Sequence, residues 1–284
     1  MYKEAPHMFQ SILQETLAEE NWQEVQKLGG RNIPALFPLG VIEEHGPHLP
    51  LGADIYWSCG MCRIVRDKLK SMGEKSVILP PYYWGVNHCT HNFPGTFSLR
   101  PQTMKQVLFE IFENVRDFSF HDVYCFNYHG DSYHVGAIAD TIKEVNEKLG
   151  ISARLVLNEM DLPLFGWQGN EDFLLIVNPE YPMEWFEEED ASERGLLDIH
   201  AGAFETAAMN YFCPELVDLK IAEKLPSTSL DQEGLQKWLQ GGDVTRESVP
   251  LGYAGNPAGY KAVGSIFEKI LYLQAENIAK QIIQ

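Results

Sequence analysis

Short, continuous apolar runs alternate with longer amphipathic segments through the first 160 residues of the chain. Runs that end in turn residues predict four strands, at Ile33–Gly40, Ser76–Trp84, His121–Gly130 and Ala153–Met160. Segments with helical spacing lie between them, at Trp57–Met72, Pro101–Phe118 and Tyr133–Gly150. Strands buried on both faces and joined by helices pair in parallel, so this order predicts an α/β fold, a three-layer α/β/α sandwich with a mostly parallel central sheet.

Two polar stretches follow predicted strands of this sheet. The stretch "LGVIEEHGPHLPLGAD" comes after the first strand, and "NYHGDSYH" comes after the third. In parallel α/β sheets, functional residues gather where the carboxyl ends of the strands pass into loops. We therefore expect the side chains of these two stretches to share one site.

Composition limits the partners of this site. The chain has 284 residues, 45% of them hydrophobic, and a formal net charge of −18. A strongly acidic protein repels nucleic acid and anionic membranes, so a small-molecule substrate is expected instead. The sequence shows no membrane-spanning run and no signal-peptide pattern, and its five cysteines are too scattered for a disulfide framework, which predicts a cytoplasmic protein. Cys59 and Cys62 share helical spacing and are interpreted as buried thiols.

The stretch after the first strand is rich in groups that bind metals. Glu43 and His45 are two residues apart, so their side chains point to the same side of an extended segment. Asp54 follows beyond a loop that Pro47 and Pro50 stiffen, and we expect that loop to bring it back toward the pair. Mixed carboxylate and imidazole ligands suit zinc or manganese.

The stretch after the third strand repeats this spacing. His129 and Asp131 are again two residues apart at a predicted strand end. Each pair taken alone is more typical of a turn or a surface, but their joint placement at neighbouring strand ends favours a metal site.

Five blocks of the sequence resemble the creatininase (creatinine amidohydrolase) family. The segment "EEHGPHLPLGAD" is similar to the family signature E-x-H-G-x-H-L-P-x-x-x-D, whose Glu, second-following His and Asp bind metal. Further similar blocks follow in the family's order, as "NFPGTFSLRP", "NYHGDS", "HAGAFET" and "GYAGNPAGYKAVG".

The resemblance implies a binuclear metal hydrolase, commonly assembled as a homo-oligomer, a hexamer. It implies two divalent ions per chain, Zn²⁺, Mn²⁺ or Fe²⁺, bound by five residues: Glu43, His45, Asp54, His129 and Glu205. We expect Asp54 to bridge the ions, with Glu43 and His129 on one and His45 and Glu205 on the other. Metal coordination lowers the pKa of water to about 7 and so supplies a bridging hydroxide that attacks a carbonyl. His200 is the expected acid or base at the leaving nitrogen.

Departures from the family pattern bear on the substrate. Asp131 replaces a glycine that is more usual in the family, although creatininase is similar in having an acidic residue there, so Asp131 is a candidate ligand or catalytic group. The residues before His200 lack the tryptophan with which creatininase closes over creatinine, which argues against creatinine. Tyr128, His91 and Trp167 are the candidate substrate contacts, while His48, His88 and His134 have no assigned ligand role.

The sequence is compatible with three functions. The first is hydrolysis of a C–N bond in a small cyclic amide or similar molecule. The second is ring opening of a cyclic keto-polyol by C–C cleavage, and the third is a non-catalytic metal-binding scaffold. A single domain over residues 1–284 is expected, with a lid or insertion at 167–195 whose acidic run Glu187–Asp190 is a solvated surface.

Overall fold

A computed structural model describes residues 11–186 and 196–284. Five strands in the described residues form one sheet: β1 (Ala35–Leu39), β2 (Val77–Ile78), β3 (Asp122–Asn127), β4 (Ser152–Asn158) and β5 (Leu174–Val177). Their spatial order is β2-β1-β3-β4-β5, and every neighbouring pair is parallel. The predicted parallel α/β fold is therefore confirmed.

Ten α-helices accompany the sheet in the described residues. They are α1 (Trp22–Leu28), α2 (Ala53–Ser71), α3 (Pro101–Asp117), α4 (Ser132–Leu149), α5 (Leu162–Phe165), α6 (Ala203–Phe212), α7 (Leu219–Ala222), α8 (Gln232–Trp238), α9 (Gly242–Ser248) and α10 (Tyr260–Ile282). Within the described ranges, none of these helices is long and apolar enough to cross a membrane.

The strands send alternate side chains into two apolar layers. Phe37 of β1 packs with Phe112 of α3 and Val135 of α4 on one face of the sheet. Leu36, one residue earlier, packs on the opposite face with Met61 of α2 and other side chains of α2, α6 and α10. This alternation, which follows from the two-residue period of a strand, gives the three layers predicted from the continuous apolar runs.

The strand order places a crevice between β1 and β3. The chain leaves β1 through α2 to β2 on one side, and β3 lies on the other side of β1. The connections therefore diverge at the carboxyl ends of β1 and β3, where ligands bind in open parallel sheets. Glu43 follows β1 and His129 follows β3, so both lie at this switch point.

One predicted position needs correction. Asp54 was expected on a loop, but α2 begins at Ala53 and includes Asp54 in its first turn, four residues before the predicted start of the helix. The last proline of the segment, Pro50, precedes the helix, so it does not interrupt backbone hydrogen bonding within α2. A carboxylate in the first turn also gains from the positive end of the helix dipole.

The segment at 167–195, predicted as a lid or insertion, contains a strand. Residues Leu174–Val177 form edge strand β5, because an apolar run of this length can extend the sheet beside β4. That part of the segment belongs to the central sheet. The acidic run predicted as a solvated surface lies outside the described residues, and the lid stays a prediction for the rest of the segment.

Both cysteines of the C-x-x-C pair lie on α2 as predicted. Cys59 and Cys62 are buried free thiols, and burial raises the pKa of the Cys59 thiol to about 12. A thiol that stays protonated at neutral pH is a poor nucleophile and a poor metal ligand. The interpretation of this pair as buried helix-face thiols is confirmed.

The close approach of α2 and α6 depends on Gly60, because a Cβ there would overlap the Phe212 ring. We expect Gly60→Ala to destabilise the protein by about 1–3 kcal/mol, since the clash outweighs the better helix propensity of alanine. Gly136→Ala in α4 is the matched control, because a Cβ at Gly136 meets no atom within 4 Å. That variant should gain about 0.4–1 kcal/mol in the free energy of unfolding measured by denaturant titration. Equal effects of the two substitutions would contradict this account of the helix contact.

Candidate metal centre

The loop after β1 turns Glu43 and His45 toward the switch point. The backbone N–H of Glu43 donates to the Leu51 carbonyl at 2.8 Å, which closes the proline-containing loop on itself. Gly46 has a φ of 66°, a conformation that glycine adopts without strain. Both side chains are buried, with exposed fractions of 2% for Glu43 and 1% for His45.

Two further carboxylates come from the first turns of helices. Asp54 lies at the start of α2, and Glu205 lies at the start of α6. Oε2 of Glu205 accepts a hydrogen bond of 2.5 Å from the N–H of Ala201, whose φ of 50° is rare for a residue other than glycine. The positive ends of two helix dipoles thus face the same buried space and favour negative charge there.

The structure brings together all five predicted metal ligands. Nδ1 of His129 lies 3.0 Å from Oε2 of Glu43 and 3.5 Å from Oδ2 of Asp54. Nε2 of His45 lies 3.4 Å from Oδ1 of Asp54 and 3.7 Å from Oε2 of Glu205. The five predicted ligands therefore fall into two groups of three that share Asp54, as a carboxylate between two ions would. A third group of possible ligand atoms joins His200 to Glu43 and His45.

The second ring nitrogen of each ligand histidine is held by a backbone carbonyl. His45 Nδ1–H donates to the Glu43 carbonyl at 3.0 Å, and His129 Nε2–H donates to the Val86 carbonyl at 3.0 Å. Each hydrogen bond fixes which nitrogen keeps its hydrogen in the neutral ring, so the other nitrogen faces the carboxylates and can bind metal once it is deprotonated. This is the usual support of metal-binding imidazoles.

Three atoms of this cluster are buried without a hydrogen bond: Glu43 Oε2, His45 Nε2 and Asp54 Oδ2. A buried polar atom that lacks a partner costs free energy. A divalent cation in each group would satisfy all three atoms, and carboxylate plus imidazole is a donor set that zinc and manganese accept. The residues present therefore fit a pair of metal ions.

His200 lies beside this cluster. Its ring centroid is 4.5 Å from that of His45, and its Nε2–H donates to the Glu44 carbonyl at 2.8 Å. The backbones of His200 and Ala254 exchange two hydrogen bonds, so the block "GYAGNPAGYKAVG", which contains Ala254, lies beside this histidine. Burial lowers the pKa of His200, but Glu43 and Glu44 together outweigh burial and raise it to about 9. The structure thus places a histidine next to the ligands, with one nitrogen held by the backbone.

Asp131, the other predicted catalytic residue, caps α4. Its Oδ1 accepts from the N–H groups of Tyr133 and His134, at 2.9 and 3.2 Å. Its Oδ2 accepts from the N–H of His88 at 2.6 Å. Both oxygens of Asp131 are therefore engaged by backbone donors, and a ligand or acid–base role for this residue stays a prediction.

The three predicted substrate contacts lie in different surroundings. His91 lines a cleft of about 250 Å³ together with Val86, Asn87, His88, Ser98, Pro101 and Tyr133. Tyr128 stacks on Trp57 of α2, with ring centroids 4.5 Å apart, in the apolar layer of α2, α6 and α10. Trp167 packs against Phe165 and Phe173 in the opposite layer. The cleft adjoins the metal cluster, because Val86 also accepts the hydrogen bond of His129.

Sequence reasoning missed residues that support the ligands. Thr90 donates its hydroxyl to Oε1 of Glu43, and Thr96 accepts from the N–H of Glu44. His48 hydrogen-bonds the Thr206 hydroxyl at 2.9 Å, next to Glu205. The only sequence signal for Thr90 and Thr96 was their position in or beside the "NFPGTFSLRP" block, which no chemical pattern links to the ligands.

Comparison with known proteins identifies the family of this chain. The family model of creatininase, described as creatinine amidohydrolase, matches residues 18–281. The chain belongs to the creatininase family. Members of this family are amidohydrolases, and the resemblance carried by the five sequence blocks is confirmed.

Two curated relatives show how widely the family's sequences diverge. The creatinine amidohydrolase of Pseudomonas putida is 22% identical over 232 residues, which cover 75% of this chain and 77% of the relative. The mycofactocin precursor peptide peptidase of Mycolicibacterium smegmatis is 32% identical over 76 residues, which cover 26% of this chain. The chain spans only 31% of the length of that peptidase.

Solved structures share the fold. A crystal structure of creatinine amidohydrolase (creatininase) has a TM-score of 0.67 at 19% identity, covering 94% of this chain and 96% of the other. A putative creatinine amidohydrolase from Bacteroides fragilis also has a TM-score of 0.67, at 21% identity, covering 94% and 95%. Two further creatininase structures, with TM-scores of 0.64 and 0.63, are described as a Mn form and a Zn–Zn type.

Metal binding at this centre should release protons. Burial lowers the pKa of His129, but Glu43 and Asp54 outweigh it and raise the pKa to about 10, and Asp54 likewise raises the pKa of His45 above its ordinary value. We therefore expect both imidazoles to carry a second proton in the metal-free protein at pH 7.5, and both must be neutral to bind metal. About two protons should be released per chain on saturation, and the apparent affinity should rise with pH until the pH passes the pKa of His129, at about 10.

Calorimetric titration of metal-free protein in two buffers of different ionisation enthalpy measures this release directly. Per chain, the observed heats in the two buffers should differ by about twice the difference between the buffers' ionisation enthalpies. Equal heats in the two buffers would show that the histidines are already neutral, and would contradict the pKa assignment.

Proposed function

We propose that this protein is a hydrolase with two divalent metal ions that cleaves a C–N bond in a small molecule, with a cyclic amide as the leading substrate class. The observation that carries the proposal is the convergence of five buried or half-buried ligand side chains into two groups that share Asp54. The relatives named creatinine amidohydrolase and the structures described as Mn and Zn–Zn forms support both the reaction class and the metals.

The residues of the chain bind the ions, fix one of the ligands and exclude bulk water. Glu43 and His129 would hold one ion, His45 and Glu205 the other, and Asp54 both. Bound divalent ions supply Lewis acidity, which activates water and polarises a carbonyl at neutral pH. Thr90 fixes the Glu43 carboxylate, and burial of the ligands keeps bulk water from their polar atoms.

His200 is the proposed proton carrier. In hydrolysis, the oxygen of water bonds to the carbonyl carbon, the C–N bond breaks, and a proton from water must reach the leaving nitrogen. Donation of Nε2–H to the Glu44 carbonyl leaves Nδ1 as the nitrogen that can accept and return that proton. His200 lies beside His45, next to the residues that would hold the ions.

The cleft next to the cluster supports a neutral or cationic substrate. Its lining consists of uncharged polar, aromatic and small residues together with His88 and His91, and includes neither lysine nor arginine. Anionic groups such as phosphate are usually held by arginine or lysine, so this lining does not favour them. The net charge of −18 acts in the same direction at long range.

Asp54→Asn tests the shared carboxylate. The amide keeps the size of the side chain but loses the negative charge and one coordinating oxygen, so both ions should bind weakly and hydrolysis should fall to the background rate. Metal content is measured by mass spectrometry after dialysis, and activity by a screen of cyclic amides, formamides and cyclic keto-polyols on metal-loaded protein.

The control for this test is Asp67→Asn, the same change at an exposed position of α2. It should keep two ions per chain and full activity. Wild-type protein that binds no divalent metal after reconstitution would refute the proposal. Cleavage of keto-polyols alone would replace the C–N bond by C–C ring opening, and metal binding without any hydrolysis would favour a scaffold.

His200→Ala separates proton transfer from metal binding. If His200 carries the proton, kcat should fall by about 10²–10⁴-fold while two ions remain bound. His121→Ala, at an exposed position before β3, is the matched histidine control and should leave both quantities unchanged. Loss of an ion from the His200→Ala protein would instead make His200 a ligand, since its ring can share a cation with Glu43 and His45.

A further inference from the structure

Four hydrogen bonds form a closed circuit around the ligand His129. His129 Nε2–H donates to the Val86 carbonyl at 3.0 Å, and the N–H of Val86 donates to Nδ1 of His134 at 3.3 Å. His134 Nε2–H donates to Oδ1 of Asn127 at 3.1 Å, and Nδ2 of Asn127 donates to the His129 carbonyl at 2.7 Å. We call these four residues the support ring.

We propose that His134 is a positioning residue of the metal centre, which acts through the support ring to orient His129. The inference rests on the proposed function, because it requires His129 to bind a metal ion. His134 itself is in none of the three ligand groups found in the described residues.

Only one arrangement of protons satisfies the support ring. Nδ1 of His134 accepts a hydrogen bond from a backbone N–H, so it carries no hydrogen. The single N–H hydrogen of the neutral imidazole must therefore be on Nε2. Nε2–H then requires the oxygen of Asn127 to face it, which turns the Asn127 amide nitrogen toward the His129 carbonyl. The backbone of His129 and its imidazole are thus both fixed by one set of donors and acceptors.

Three members of the support ring are buried and Asn127 is half-buried, so water has little access to its hydrogen bonds. His134 has an exposed fraction of 0%, and Val86 and His129 are buried as well. The rings of His134 and His129 meet edge to face, with centroids 5.0 Å apart. A Cβ at Gly85 would overlap His134, so the loop before Val86 approaches this imidazole as closely as its backbone allows. At position 134, a side chain that cannot accept a hydrogen bond would therefore leave the buried N–H of Val86 without a partner.

The support ring also links three elements. Asn127 ends β3, His134 lies in the first turn of α4, and Val86 lies in the loop that lines the cleft. The Val86 carbonyl that holds His129 is consequently positioned by the His134 side chain of α4. Outer partners of metal-binding histidines typically change metal affinity or activity by about 10- to 100-fold when they are removed.

The test compares two variants of similar size, His134→Leu and His134→Asn. Leucine accepts no hydrogen bond, whereas the Oδ1 of asparagine takes the place of Nδ1 and can accept from Val86. We expect His134→Leu to lose about 10- to 100-fold in affinity for Co²⁺ at one of two sites, with a changed visible absorption spectrum of the bound Co²⁺. His134→Asn should recover affinity and spectrum toward those of the wild type.

A matched control excludes a general effect of altering buried polar groups in α4. Thr141→Val removes a buried hydrogen bond to the Ala137 carbonyl two turns further along the same helix. It should bind both Co²⁺ ions as the wild type does, even where it lowers the melting temperature. Circular dichroism confirms that each variant is folded before metal is added.

A double-mutant cycle with Asn127→Ala gives a second measure. Because both residues act through one ring, their combined effect on Co²⁺ affinity should be smaller than the sum of the single effects. Wild-type affinity and spectrum in His134→Leu, or equal losses in the leucine and asparagine variants, would overturn the role of His134 while leaving the metal centre intact. Wild-type protein that binds no Co²⁺ would overturn the metal centre itself.

Discussion

The structure depends on the confinement of three carboxylates in one buried space. Glu43, Asp54 and Glu205 face one another with little access to water, and isolated buried charges of like sign are strongly unfavourable. Burial raises the pKa of Glu205, whereas nearby imidazolium groups outweigh burial at Glu43 and hold its pKa below its ordinary value. Positive charge in this space therefore stabilises the cluster, whether protonated histidines supply it when metal is absent or divalent ions supply it when metal is bound.

The surrounding fold can be understood as support for this cluster. Strands β1 and β3 present the loops with Glu43 and His129, while α2 and α6 present Asp54 and Glu205 from their positive ends. Since the ligands come from four elements, the relative position of those elements determines whether the two groups can form. The contact of Gly60 with Phe212, which sets the approach of α2 to α6, is for this reason connected to the site although neither residue touches a ligand.

Much of the fold could be predicted from sequence, because continuous apolar runs and helical spacing are local signals. The parallel sheet and its helices were found in this way, whereas edge strand β5 was missed because its short apolar run lies between acidic and proline-rich segments. The five candidate ligands, which the structure places together, were predicted from a short spacing and a family resemblance. The helical position of Asp54 was missed because the prolines before it suggested a longer loop than the chain forms.

The supporting residues could not be predicted in the same way. Thr90 hydrogen-bonds Glu43 across 47 residues of the chain, and His134 hydrogen-bonds Val86 across 48 residues, so no local sequence pattern reveals either contact. A lone buried histidine such as His134 is more often a core residue than a functional one. Only the hydrogen bonds of its two nitrogens, seen in three dimensions, connect it to His129.

The hydrogen bonds of Asp131 support a structural role for a residue that the sequence suggests as a ligand or catalytic group. Its carboxylate accepts hydrogen bonds from three backbone N–H groups, and each such bond to a charged group contributes about 1.5–3 kcal/mol. Turning this carboxylate toward a metal ion would break them and uncap α4, the helix that carries His134. Five other ligands already provide two groups for the ions, so we infer that Asp131 acts mainly as a tie between α4 and the His88 loop. In that position it holds the cleft and the metal cluster in a fixed relation, which a glycine could not do.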